Sequence, residues 1–107
     1  MENQNIVVLI TTPSQEVAAN IAHALLREKL AACINIIPSI TSLSVWEEAL
    51  QEDTEALMLV KTRSDLFAER LIPAVKALHP YDVPEIIALP ITSGLNSYLA
   101  WINRLTQ

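Results

Sequence analysis

Apolar residues in this chain come in short unbroken runs, and the spacing within each run predicts its element. Ile6-Val7-Val8-Leu9-Ile10 is a continuous, largely β-branched stretch, which predicts a strand buried on both faces. Thr11-Thr12-Pro13 ends it. Ser14 is a good N-cap and Glu16 suits the first turn of a helix. Val17, Ile21 and Leu25 then recur at four-residue spacing, with Ala18 and Ala22 beside them, so the helix is predicted to reach about Leu30.

Cys33-Ile34-Asn35-Ile36-Ile37 predicts a second strand, continued from Ser39 to Trp46. Pro38 falls inside it and cannot donate to a ladder, so an edge strand or a bulge is expected. The polar stretch Glu47 to Glu55 is read as the turn back into a third strand, Ala56-Leu57-Met58-Leu59-Val60. With their continuations these two strands read as longer than ten residues each, above the usual length, so their hairpin should project beyond the sheet. Ser64-Asp65 opens a second helix carrying Phe67, Leu71, Val75 and Leu78, with a kink expected at Pro73. His79-Pro80-Tyr81-Asp82-Val83-Pro84 is expected to be extended, because residues before proline avoid the helical region. Glu85-Ile86-Ile87-Ala88-Leu89 predicts the fourth strand. After Gly94, the only glycine, a short helix carries Leu95, Tyr98, Leu99, Ile102 and Leu105.

The order strand-helix-strand-strand-helix-strand, with one helix added, predicts an α+β ferredoxin-like fold with an antiparallel four-stranded sheet, as a single domain over residues 1–107. That architecture places both crossover helices on one face. The strands are apolar along their whole length, so the other face needs a cover larger than the last helix, and a partner subunit is expected.

Composition narrows the function classes. Hydrophobic residues make up 51% and charged residues 18%, rich for a small monomer and ordinary for a subunit that buries further surface. The net charge is −5 and the seven Lys and Arg are scattered, which argues against phosphate contacts to nucleic acid. No run is long enough to span a bilayer, and the start, Met1-Glu2-Asn3-Gln4, lacks a basic leader. A lone Cys33 forms no intrachain disulfide, so a cytoplasmic setting is expected.

The candidate metal ligands are Cys33 and His79, with His23, Asp82 and Glu85 also able to ligate. A thiolate with an imidazole suits copper or zinc. Against this, cysteine is often simply a small buried residue, His79 can cap its helix, and His23 can stand in solvent. Lys61 follows an apolar strand and Glu85 begins another. They are expected either to form a salt bridge at a subunit boundary or to line a pocket with Trp46 and Tyr81. Catalysis has little support: no nucleophile–base signature is present, and one glycine excludes a glycine-rich phosphate loop. Acylphosphatases share the layout, but the first strand–helix loop here, Thr11 to Gln15, has no arginine.

Several segments, in order along nearly the whole chain, resemble the CutA family of divalent-cation tolerance proteins. They are Thr12-Pro13-Ser14, Leu30-Ala31-Ala32-Cys33-Ile34-Asn35-Ile36-Ile37-Pro38, Trp46, and Leu59-Val60-Lys61-Thr62. The most specific is His79-Pro80-Tyr81-Asp82-Val83-Pro84-Glu85-Ile86, followed by Tyr98-Leu99-Ala100-Trp101. The resemblance implies a cytoplasmic, non-enzymatic trimer similar to PII-type signalling proteins, linked to tolerance of copper and other divalent metals. It implies Cys33 and His79 as ligands of a weakly bound copper or other divalent cation, with no essential cofactor. It places Trp46, Lys61, Tyr81 and Glu85 around a cleft between subunits, where a small anionic ligand or a partner protein is the alternative. Where the family usually has glycine and lysine after the tryptophan, this chain has Glu48 and Ala49, so a bend needing positive φ is expected to be absent or strained.

Overall fold

The computed structural model describes residues 4–107; the first three, on which the reading of the chain's start rests, lie outside it. The elements run β1 (Asn5–Thr12), α1 (Gln15–Arg27), β2 (Cys33–Trp46), β3 (Ala49–Arg63), a 3-10 turn (Ser64–Leu66), a π-helical turn (Phe67–Leu71), α2 (Ile72–Leu78), β4 (Ile86–Pro90) and α3 (Asn96–Leu105). The four strands form one antiparallel sheet in the order β2-β3-β1-β4. This is the ferredoxin-like arrangement that the order of the apolar runs predicts.

One face of the sheet meets the helices. Val8, Ile10, Met58 and Val60 point into a core closed by Ile21 and Leu25 of α1 and by Leu71 and Val75, all fully buried. Ser14 caps α1 by accepting from the Val17 N–H at 3.2 Å. At the other end, α1 stops at Arg27 rather than Leu30. The Leu30 N–H donates to the Leu25 carbonyl and the Lys29 N–H to that of Leu26, which closes a Schellman motif around Lys29 at φ 60°. Leu30 is thereby freed to turn into the core, and its carbonyl accepts from the buried Thr62 hydroxyl at 2.7 Å.

The second helical segment is not one kinked α-helix. Pro73 has no N–H to give, and its ring crowds the carbonyl four residues back. The chain widens ahead of it, so that the Ile72 N–H bonds five residues back to Phe67 rather than four.

The β2-β3 hairpin is the largest departure from the sequence-based boundaries. Its turn is only Glu47-Glu48; the polar residues from Ala49 to Glu55 belong to β3. Both turn residues have positive φ, 50° and 68°, as a two-residue primed turn requires. The bend is therefore present without a glycine. Near Pro38 the ladder jumps from Ile37↔Leu57 to Ile40↔Glu55, so Pro38 and Ser39 together oppose Ala56. The expected bulge and the expected edge strand are both realised. The hairpin makes the chain 44 Å long, and its radius of gyration, 14.3 Å, exceeds the roughly 13 Å of a compact chain this size.

The second face is covered only in part. The α3 helix lies over one end of it, where Asn5 Nδ2 donates to Asn103 Oδ1, Arg63 Nη2 donates to the Thr106 carbonyl, and Ile102 is fully buried. Farther along this face Ile37, Ile87 and Leu89 remain exposed, and at the hairpin tip so do Leu43, Val45, Trp46 and Leu50.

Three left-handed positions are thus held by Lys29, Glu47 and Glu48, a conformation that disfavours Cβ-bearing residues. Lys29→Gly should raise stability by about 1 kcal/mol in denaturant unfolding. Glu48→Gly should slow amide exchange at the hairpin tip, and a loss of stability in both variants would contradict this reading of the strain.

Candidate functional site

The bulge decides which side chains face the cleft. Before it, Cys33, Asn35 and Ile37 share the open face with Leu57, Leu59 and Lys61. After it, Ser44 and Trp46 take that face, opposite Gln51 and Ala49. Asp53 and Glu55 lie along the same face of β3. The segment between α2 and β4 passes over this ribbon, and between them lies a cleft of 590 Å³ lined by Trp46, Asp53, Glu55, Tyr81 and Asp82 among others.

His79 and Tyr81 fasten that segment. The buried His79 ring lies 2.7 Å from the Thr11 carbonyl through Nε2 and accepts from the Tyr81 N–H at 3.1 Å through Nδ1. Only the tautomer with its hydrogen on Nε2 satisfies both contacts. The Tyr81 ring packs 4.8 Å from the imidazole, and its hydroxyl donates to Glu55 Oε2 at 3.0 Å. Desolvation first, then the hydrogen bond to Glu55 and the charges of Glu55 and Asp53, push the Tyr81 phenol from 10.0 to about 12. The phenol therefore stays protonated and continues to donate to Glu55 throughout the physiological range.

Of the residues expected around the cleft, the structure brings together Trp46 and Tyr81. It does not bring Lys61 and Glu85 to them within one chain. A contact between them would need the end of β3 to meet the start of β4, as in antiparallel strands, but β3 and β4 each run antiparallel to β1 and so are parallel to one another. Lys61 is level with Leu89 through Val7, whereas Glu85 precedes Ile86, which pairs with Ile10. They are four residues out of step, about 13 Å along the strands, and two strand spacings apart. No Lys61–Glu85 salt bridge forms within the chain. The Lys61 ammonium donates instead to Asn35 Oδ1.

Cys33 and His79 are separated in the same way. Cys33 pairs with Lys61, level with Val7, while His79 lies against Thr11, about 13 Å farther along the sheet. Both His79 nitrogens are engaged. Cys33 is free and half-buried; desolvation first, then the neighbouring Cys33, raise the Tyr98 phenol. His23 is exposed on α1. Among the described residues no three His, Cys, Asp or Glu side chains converge as a metal site. Sequence reasoning passed over Asp53 and Glu55 because they lay inside a presumed turn. Their alternation with Gln51 was the available signal.

A raised phenol pKa means that the folded state holds its proton longer than the unfolded one, so any stabilisation it gives is complete below pH 10 and lost as pH rises toward 12. In an absorbance titration at alkaline pH, Tyr81→Phe should remove a late-titrating phenol. Glu55→Gln should lower that midpoint only part of the way, because desolvation remains. An unchanged curve in Tyr81→Phe would contradict the clasp.

The fold has close counterparts. A family model for the CutA1 divalent ion tolerance protein matches residues 6–105. The divalent-cation tolerance protein CutA of Thermus thermophilus is 55% identical over 100 residues, covering 94% of this chain and 96% of that one. The chloroplastic CutA protein of Arabidopsis thaliana is 48% identical over 96% of this chain, which spans only 56% of its length. Among solved structures, the Thermus thermophilus protein superposes with a TM-score of 0.93 at 53% identity, covering 96% of this chain and 99% of that one. The periplasmic divalent cation tolerance protein CutA of Archaeoglobus fulgidus superposes with a TM-score of 0.92 at 46% identity, covering 96% and 99%. The chain belongs to the CutA family of divalent-cation tolerance proteins.

Proposed function

We propose that this protein serves divalent-cation tolerance as a homotrimeric binding protein rather than an enzyme, in the cytoplasm, where Cys33 stays reduced. The observation that carries the assembly is the projecting hairpin. Val45 and Leu50 pair across its tip and are 70% and 76% exposed, and a sheet face with Ile87 and Leu89 half in solvent lies open on the same chain. Apolar surface of this extent on an arm and on a receiving face fits association between copies. Light scattering should give three times the 11.8 kDa chain mass. Val45→Glu with Leu50→Glu should shift the mass toward a single chain, and a monomeric wild type would overturn the reading.

For the metal, Cys33 is the donor that the geometry favours. It is a free thiol on the open face, where further ligands can come from a neighbouring copy, and thiolate suits copper. His79 can join only by giving up Tyr81 or Thr11. Copper titration should show affinity at least tenfold weaker in Cys33→Ala. His79→Ala should leave affinity unchanged while loosening the 80–84 segment; equal copper affinity in wild type and Cys33→Ala would sink the site.

A second reading, a PII-like module that senses a small molecule, is favoured by one specific observation. The 590 Å³ cleft has the volume of a small-ligand site, with Trp46 and Tyr81 among its walls.

A further inference from the structure

The cleft carries a strong chemical bias that its volume alone does not reveal. Its charged lining consists of Asp53, Glu55 and Asp82, with no lysine, arginine or histidine among the lining residues. The sequence has no basic residue at all from position 30 to position 60, which covers β2, the turn and most of β3. The nearest cation on the same face of β3 is Lys61, six residues from Glu55 and so about 20 Å along the strand. Lys61 already donates to Asn35, and the ion pair recorded among the described residues, Arg63 with Asp65, lies farther still. Among the described residues, none of these three carboxylates is in an ion pair.

The other walls are aromatic. Trp46 is 58% exposed and stands on the cleft face of the ribbon, cross-strand from Ala49, which has no side chain long enough to screen the ring. Tyr81 spends its only hydrogen on Glu55, so it offers a ring and oxygen lone pairs rather than a donor. A phosphate or carboxylate ligand would meet three like charges and no N–H donor from a charged side chain. A compact metal ion would need ligands that converge, which these residues do not provide. An organic ammonium needs neither: it is bound by π-faces and by carboxylates placed several ångströms away.

Resting on the reading of this cleft as a small-molecule site, we infer that it takes a small organic ammonium ligand, held between the Trp46 and Tyr81 rings with Asp53, Glu55 and Asp82 supplying the opposing charge. The same charges disfavour anionic metabolites and nucleotides. Ala49 is then the position that sets this preference, since a cation there would stand directly against Trp46.

The test is calorimetric titration of the assembled protein with tetramethylammonium and putrescine as cationic probes, and citrate and ATP as anionic ones. Saturable binding of at least one cationic probe is expected, with neither anion binding. Ala49→Lys should weaken the cation at least tenfold, while Ala49→Gln, of similar length, should leave it within about twofold. Trp46→Ala should weaken it as well. Position 49 lies on the cleft face of the ribbon, opposite the face of Val45 and Leu50, so both of its variants should keep the wild-type mass in light scattering. If no probe of either charge binds, the small-molecule reading of the cleft fails, and this inference with it. If an anion binds and is lost in Trp46→Ala, the cleft stands as a site but its proposed preference is overturned. Cation binding that is equally strong in Ala49→Lys and Ala49→Gln overturns it too.

Discussion

Pro38 has no N–H to offer the sheet, and the chain accommodates it by setting two residues of β2 against one of β3. Side chains on a strand alternate with a period of two, so one extra residue exchanges the two faces for everything beyond it. Without the bulge, Trp46 would share a face with Ile34 and Ile36 and point away from the open side. With it, Trp46 and Ser44 join the face of Cys33 and Ile37, while Leu43 and Val45 take the face continuous with the helices but beyond their reach. The cleft and the apolar tip are both products of that single exchange.

The segment from His79 to Pro84 depends on the same geometry. Tyr81 reaches Glu55 because Glu55 is the first β3 residue paired after the bulge. His79 holds the near end of the segment on the Thr11 carbonyl, at the edge where β1 finishes. The start of this stretch is thus tied to the sheet through His79 and to the hairpin through Tyr81, which joins the wall of the cleft to the arm that carries its tryptophan. The acidic character of the hairpin is compatible with folding because Glu47, Glu48, Glu52 and Asp53 are exposed and hydrated, while the half-buried Glu55 accepts from Tyr81.

The order of elements was legible because each buried strand is a compact apolar run and each helix repeats at three to four residues. The limits of the hairpin were not. Ala49 to Glu55 reads as a polar turn, since this part of β3 lies outside the core and carries Leu50 as its one large apolar residue, and Glu47-Glu48 lacks the glycine or asparagine that marks a primed turn. Trp46 and Tyr81 were legible as cleft residues through the segments around them. Asp53 and Glu55 were hidden inside the supposed turn, although they alternate with Gln51 as a strand should. Bringing Lys61 near Glu85 takes their strands as antiparallel, but two strands flanking the same antiparallel partner run parallel, so the end of one lies far from the start of the other. The separation of Cys33 from His79 follows from register, which no single segment encodes.

Departures from local preference are not spread evenly over the molecule. Lys29 closes a helix where its αL conformation completes two backbone hydrogen bonds and positions the buried Leu30, so its strain is offset on the spot. Glu47 and Glu48 have no comparable local return: the turn they make ends in solvent, and beside it Val45, Trp46 and Leu50 are exposed as well. A ribbon with strained non-glycine turn residues and apolar side chains in water is poorly stabilised by its own contacts. Consistency across levels fails here more than anywhere else in the chain, and such failures concentrate where a protein meets something else. The tip and the wall of the cleft that carries Trp46 lie on the same arm, two faces of one ribbon set by one bulge.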